Sequence, residues 1–178
     1  ESGMDQGYNL YVRDLRVADS QFIQMTADAS KTYSPVEMIG DSIYILTNQG
    51  APRYRLMVAD VRKPGMTDWH EVVGEQDGVL QDVLFLPADR MILTYSKDNC
   101  TEAWLYSVKG ERLSRIELPT FGSASFSGSR KQDECFFSFT SYTVPTTIYR
   151  FNPATGKSQV ESQPKVNARL NDYTTEMV

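Results

Sequence analysis

Residues 134–152 of the chain read Glu-Cys-Phe-Phe-Ser-Phe-Thr-Ser-Tyr-Thr-Val-Pro-Thr-Thr-Ile-Tyr-Arg-Phe-Asn. Nearly all of these residues are aromatic, β-branched or hydroxyl-bearing, which suits a half-buried strand and suits a helix poorly. Successive side chains of a strand point to opposite faces, so Phe137 and Phe139 share one face and Phe136 lies on the other. The first part of this stretch therefore predicts a strand with one strongly apolar face.

The second part of the stretch predicts another strand after a break. Proline has no N–H for a sheet ladder, so Val144-Pro145 should interrupt the pairing before Thr147–Phe151 resumes it. The run Asn152–Gly156 that follows has the composition of a tight turn. The expected unit is a strand, a broad connection, a strand and a turn.

The chain repeats this unit at a period of about 44 to 48 residues. Each repeat has a turn aspartate that leads into an apolar strand, and a second apolar strand follows at the same spacing. The first set is Asp41–Thr47, Asp89–Tyr95 and Asp133–Phe139; the second is Leu10–Leu15, Leu56–Val61, Trp104–Val108 and Ile148–Asn152. Two independent markers with one period are typical of a repeat protein.

Each period predicts four strands, which in the middle repeat are Val79–Leu86, Met91–Ser96, Ala103–Val108 and Arg112–Leu118. Turn residues separate these segments, and no segment shows sustained helical periodicity. A four-stranded antiparallel unit at this period is typical of a β-propeller blade. The predicted fold is all-β: a partial propeller of about three and a half blades, short of the roughly four to eight blades that close a ring.

The predicted boundaries follow from this period. We expect residues 1–33 to hold the last two strands of a blade and a connection, and residues 166–178 to form a linker. Three complete blades lie between them, at 34–78, 79–121 and 122–165.

Composition excludes several classes of protein. With 18 basic and 23 acidic residues the net charge is -5, which argues against a nucleic-acid or anionic-membrane partner. No apolar run approaches the roughly 18 residues of a membrane span. With 40% hydrophobic and 23% charged residues we expect a soluble globular protein. Glu1–Asp5 has no signal-peptide character, and the compartment, cytoplasmic or periplasmic, stays open. Cys100, in a predicted turn, and Cys135, at a predicted strand start, are expected to be unpaired thiols.

No residue is assigned a catalytic role. A serine triad needs a histidine base, and His70, expected at the head of an outer strand, is the only histidine. The serine-rich run Gly122–Gly128 lacks the spacing of a nucleophile elbow and is expected to pack as a first blade strand. The aromatic residues are expected to fill the space between neighbouring blades.

No cofactor or metal is expected either. One histidine and two distant cysteines cannot supply zinc-ligand spacing, and there is no calcium loop or phosphate-binding glycine loop. Asn99-Cys100-Thr101 matches the glycosylation acceptor pattern, but we expect a plain β-turn there.

Three runs with matching order and spacing resemble the later propeller blades of the prolyl oligopeptidases, also called prolyl endopeptidases. They are Thr47–Leu56, Leu118–Ser123 with Ser127-Gly128, and Phe136–Tyr149. The resemblance implies a seven-bladed propeller that gates an α/β-hydrolase domain bearing a Ser-Asp-His triad and admits short proline-containing peptides. Asn171–Val178 resembles the segment that precedes that domain, so the chain alone is expected to be inactive. Tyr8–Arg13 does not clearly match the family's propeller substrate residues, so none is assigned.

Two other functions stay open at this point: the propeller of an oligopeptidase that prefers basic residues, and a non-catalytic interaction scaffold. An unclosed propeller exposes strand edges, which tend to pair. We therefore also expect that two copies of the chain can form a homodimer through blade edges.

Overall fold

The computed structural model describes residues 8–164, which belong to two compact units that divide between Asp77 and Gly78. Within the described residues, the only helix is a single 3-10 turn, Met66–Asp68, and the rest of the regular structure is β-strand. The prediction of an all-β fold is therefore confirmed.

The first unit contains a two-stranded and a four-stranded antiparallel sheet. The small sheet pairs β1 (Tyr11–Val12) with β2 (Ile23–Gln24); the larger sheet has the order β3 (Tyr33–Ile39), β4 (Ser42–Thr47), β5 (Arg55–Asp60) and β6 (His70–Val73). Its core includes Tyr33 and Trp69, whose rings meet edge to face at 6.1 Å between centroids.

The second unit contains two four-stranded antiparallel sheets in which strands adjacent in sequence are paired. The strands of the first are β7 (Val79–Leu86), β8 (Arg90–Lys97), β9 (Cys100–Ser107) and β10 (Arg112–Ile116). Those of the second are β11 (Ser123–Ser129), β12 (Gln132–Thr140), β13 (Thr147–Asn152) and β14 (Lys157–Ser162).

Half a blade followed by three four-stranded sheets agrees with the predicted three and a half blades. Two details of the predicted strands are wrong. β9 begins at Cys100 rather than Ala103, so Cys100 opens a strand instead of lying in the turn, and β10 ends at Ile116 rather than Leu118. Hairpin pairing of Lys97 with Cys100 extends the ladder to the turn itself. The blade boundaries at 1–33, 34–78, 79–121 and 122–165 stay a prediction, and residues 166–178 lie outside the described part.

The two sheets of the second unit share one apolar core. Phe137 and Phe139 lie on the buried face of β12, with Phe151 of β13 beside them, and they cluster with Leu86 and Ile92 of the preceding sheet. Phe137 is only 1% exposed. Phe137, Phe139 and Phe151 therefore pack between neighbouring sheets, as the sequence predicts.

Two hairpin turns of this unit contain consecutive residues with positive φ. Residues 87–89 join β7 to β8, and Ala88 and Asp89 among them have φ of 58° and 52°. Asp98 and Asn99 form a two-residue turn between the paired Lys97 and Cys100, with φ of 50° and 58°. Positive φ at both central residues of such a two-residue turn matches the right-handed twist of the paired strands. Asn99 of the glycosylation-like pattern thus lies in a β-turn, as expected.

Candidate functional site

The described residues do not form a hydrolytic triad. The serine-rich run is β11, an extended strand paired with β12, whereas a nucleophile elbow needs a sharp strand-to-helix turn. His70, the single histidine of the sequence, is the exposed first residue of β6. Both positions agree with the structural roles predicted for them.

The two thiols are free and differ in burial. Cys135 is fully buried, and burial raises the pKa of its thiol to about 11. Cys100 is half-buried at the start of β9. Within residues 8–164, no group of three or more His, Cys, Asp or Glu side chains could hold a metal ion.

β11 carries a polar surface at the edge of its sheet. Ser123, Ser125 and Ser127 are exposed on one face, whereas Phe126 points to the other face and is 7% exposed. β11 forms its ladder with β12 only, and outside that ladder the N–H of Ala124 already donates to Oγ1 of Thr101 at 3.0 Å. The first strand of this sheet therefore offers mainly the hydroxyl groups of its exposed serines.

A cleft of about 450 Å³ lies in the second unit near the β7–β8 and β13–β14 turns. Arg90 donates from Nη1 to the carbonyl oxygen of Pro153 at 2.6 Å and so ties the two sheets together. Arg150 on its wall forms ion pairs with Glu134 and Glu161 at 3.3 and 3.1 Å. Arg150 is thus paired with carboxylates, whereas Arg90, Asp133 and Lys157 also line the cleft.

A second cleft, of about 430 Å³, lies beside the β8–β9 turn and the connection between β10 and β11. Phe121 forms part of its wall and is 48% exposed. The connection is held by Thr101, whose N–H donates to the carbonyl of Gly122 at 2.8 Å and whose Oγ1 accepts from the N–H of Ala124 at 3.0 Å. We call this cavity the Phe121 cleft.

The connection between β12 and β13, residues 141–146, presents an aromatic residue that sequence reasoning missed. Tyr142 is fully exposed, at 102%. The loop beneath it is ordered by Ser141, whose N–H donates to the carbonyl of Val144 and whose hydroxyl accepts from the N–H of Val144, both at 3.0 Å. Val144 packs against the core. The sequence signal was an aromatic residue inside the broad connection that Pro145 predicts.

The first unit repeats one polar arrangement at the end of β1 and β5. Arg16 donates from its backbone N–H and guanidinium to Asp14, and Arg62 does the same to Asp60, at 2.8 to 3.0 Å. These side-chain hydrogen bonds lower the pKa of each aspartate to about 2. Both sites have the spacing Asp-x-Arg, and this shared spacing is the signal in the sequence for the arrangement.

No helix within residues 8–164 combines the length and apolar character that crossing a bilayer requires.

Comparison with known proteins identifies a family. The family model described as prolyl oligopeptidase, N-terminal beta-propeller domain, matches residues 1–164. The prolyl endopeptidase of Elizabethkingia meningoseptica is 30% identical over 173 residues, which are 97% of this chain and 24% of that protein. The chain thus spans about a quarter of the length of the curated relatives it matches first.

Solved structures give the same result. A prolyl endopeptidase studied for its inter-domain dynamics superposes with a TM-score of 0.87 at 29% identity, over 97% of this chain and 25% of that one. Prolyl oligopeptidase B from Galerina marginata superposes with a TM-score of 0.82 at 23% identity, over 93% of this chain and 24% of that one. The second likeness supports the fold alone.

Proposed function

Because the chain belongs to the prolyl oligopeptidase family, through its N-terminal β-propeller domain, we propose that it forms part of the substrate gate of a serine endopeptidase that cleaves short peptides after proline. One observation carries the proposal. The family-like runs are Thr47–Leu56, which joins β4 to β5, Leu118–Ser123 with Ser127-Gly128, which leads into β11, and Phe136–Tyr149, which spans β12 and β13. They therefore lie in and between antiparallel four-stranded sheets, while no hydrolytic triad is present among residues 8–164. The expected role is therefore selection of substrates and not chemistry.

Polar first strands support a gating role. The blades of a propeller surround a central channel, and we assign the first strands β7 and β11 to its wall. Gln81 and Asp82 of β7 and the alternate serines of β11 are exposed. Such a wall can be solvated, so an extended peptide can pass without being bound tightly by an apolar surface.

Two partners belong to the proposal. One is an α/β-hydrolase domain with the Ser-Asp-His triad, joined to the propeller in the parent protein; the other is a short proline-containing peptide. Pairing of two copies is a further expectation, supported by β14, whose six residues are all exposed at a sheet edge. A monomeric mass at micromolar concentration in analytical ultracentrifugation would contradict the pairing of two copies. It would leave the rest of the proposal unaffected.

The test compares this chain with the complete protein encoded by the same gene. We expect the complete protein to hydrolyse a chromogenic Gly-Pro amide and this chain to leave it intact. Turnover by the pure chain that a serine-directed reagent abolishes would contradict the proposal.

Gating is tested in the complete protein by narrowing the proposed channel. Ser125→Trp should slow hydrolysis of a proline-containing peptide of about 20 residues more than hydrolysis of the small amide. Gln159→Trp, on exposed β14, is the matched control and should slow neither. Equal effects of Ser125→Trp on both substrates would exclude a size-selective gate.

A further inference from the structure

The first strand of the second unit contains a β-bulge. Leu80 and Asp82 of β7 pair with consecutive residues of β8, so Gln81 between them is an extra residue in the ladder. Regular alternation turns every second side chain of a strand inward. Here Gln81 and Asp82 are both exposed, whereas the residues on either side, Leu80 and Val83, are 2% and 5% exposed. Because a bulge re-aims the side chains beside it, the charge of Asp82 faces outward.

The first strand of the four-stranded sheet in the first unit has the same arrangement. Pro35 and Glu37 of β3 pair with consecutive residues of β4, so Val36 is the extra residue. The carboxylate of Glu37 accepts a hydrogen bond from the N–H of Met38 at 2.9 Å. The carboxylate of Asp82 accepts in the same way from the N–H of the next residue, also at 2.9 Å. In both strands a bulge is therefore followed by a carboxylate that is held against the backbone of an edge strand.

The charges within the first strands have one sign. Glu37 is the one charged residue of β3, Asp82 is the one charged residue of β7, and β11 has none. Within residues 8–164 neither carboxylate forms an ion pair, whereas Glu71 and Glu75 pair with arginines at 3.1 and 3.3 Å. The basic pair Arg130-Lys131 lies beyond the end of β11, in the turn that follows. The described first strands therefore carry unpaired negative charge.

Charge of one sign on a channel wall acts on a passing peptide through its electric field. A concave protein surface focuses the field of its charges and raises the local concentration of oppositely charged solutes, by about ten-fold or more. A peptide with lysine or arginine side chains is attracted by such a wall, and a peptide with carboxylates is repelled. This attraction changes the rate of entry without requiring a fixed binding position for the peptide.

We propose that Asp82, with Glu37 as its counterpart in the first unit, makes the substrate gate selective for charge. Peptides with cationic side chains pass the gate faster than otherwise identical peptides with carboxylates. This inference rests on the proposed function and adds the class of substrate that the gate favours. The two residues select substrates and have no assigned role in the chemistry.

The test uses the complete protein and three peptides of equal length that share one proline site. Two positions away from the proline are both lysine, both glutamate or both glutamine, and the glutamine peptide corrects for any change in rate common to all three. At low salt we expect kcat/KM to be at least about three-fold higher for the lysine peptide than for the glutamate peptide. The ratio should fall towards one at about 0.5 M salt, where the screening length is only about 4 Å.

Three variants locate the source of this preference. Asp82→Asn and Glu37→Gln each remove one charge and keep a side-chain oxygen that can accept the same backbone N–H. Each should lower the ratio of the lysine to the glutamate peptide by about 1.4- to 5-fold, the range of exposed ion pairs. Glu111→Gln, in the exposed turn between β9 and β10, makes the same change in net charge away from the first strands. This control should leave the ratio as it is.

The outcomes separate the two proposals. A ratio of one or less in the unmodified protein, or a ratio that neither Asp82→Asn nor Glu37→Gln lowers, overturns charge selection. A ratio that Glu111→Gln lowers equally also overturns it, because net charge then explains the preference. In these cases the size-selective gate still stands or falls by the Ser125→Trp comparison. Absence of peptidase activity from the complete protein overturns the proposed function itself.

Discussion

Consecutive phenylalanines in β12 should differ sharply in what they contribute to stability. Phe137 is 1% exposed. The centroid of its ring lies 4.8 Å from the centroid of the Tyr149 ring, on which it stacks, and 4.9 Å from that of Phe126. Phe136 points to the opposite face and is half-buried there under the guanidinium of Arg150, 5.3 Å from the ring centroid. Replacing each by alanine compares the two faces of one strand.

The expected magnitudes follow from these contacts. Truncation of a buried phenylalanine to alanine costs about 3–5 kcal/mol, and the loss of two aromatic pairs puts Phe137→Ala in the upper part of this range. Phe136→Ala removes one exposed cation–π contact, about 0.5–1 kcal/mol, with some apolar burial, for a total of about 1–2 kcal/mol. The difference of at least about 2 kcal/mol corresponds to roughly a 30-fold change in the unfolding equilibrium.

The assay is urea unfolding followed by tryptophan fluorescence. The sequence has two tryptophans, Trp69 in the first unit and Trp104 in the second, so a Trp69→Phe background leaves Trp104 to report the unit that contains β12. With a urea slope of about 1–3 kcal/mol/M, the midpoint for Phe137→Ala should lie at least about 0.7 M below that for Phe136→Ala. Equal midpoints, or a larger loss for Phe136→Ala, would refute the assignment of the two faces.

Three further predictions concern single groups. The carboxyl of Asp60 should titrate in carbon NMR near pH 2, because Arg62 hydrogen-bonds its charged form and lowers its pKa. The contribution of this carboxylate to stability is present above about pH 4 and lost as the pH falls towards 2. Arg62→Gln should raise the pKa of Asp60 in the same NMR titration. A thiol-disulfide reagent should titrate Cys100 in the native chain and reach Cys135 only in denaturant; two thiols reacting at once without denaturant would disprove the buried location. Ala88→Asn should raise the free energy of unfolding by about 0.5–1 kcal/mol, because asparagine tolerates the positive φ of 58° better than alanine; a lower urea midpoint would count against that turn geometry.

Much of the fold follows from local patterns in the chain. Alternation in residues 134–140 predicted the buried face with Phe137 and Phe139, because a strand places successive side chains on opposite sides. Pro145 predicted the break between β12 and β13, since it cannot donate to a ladder. The positions of these strands, and their repetition, were therefore readable without coordinates.

Features that depend on contacts between distant residues were not readable. The hydrogen bond from Arg90 to Pro153 joins residues 63 positions apart, and the local sequence around neither residue predicts this contact. Tyrosine is a residue type that is common in strands, yet Tyr142 lies in a loop and is fully exposed. Whether an aromatic residue is buried depends on what the neighbouring strands place above it.

The sequence by itself determined the period, the all-β class and the family, because these depend on residue type and spacing. Only the tertiary structure decided which end of the second unit carries Tyr142 and Phe121 together. That end is created by antiparallel pairing, which returns the fourth strand to the side where the first begins. The residues concerned are about 20 positions apart in the chain and become neighbours only when the sheet has formed.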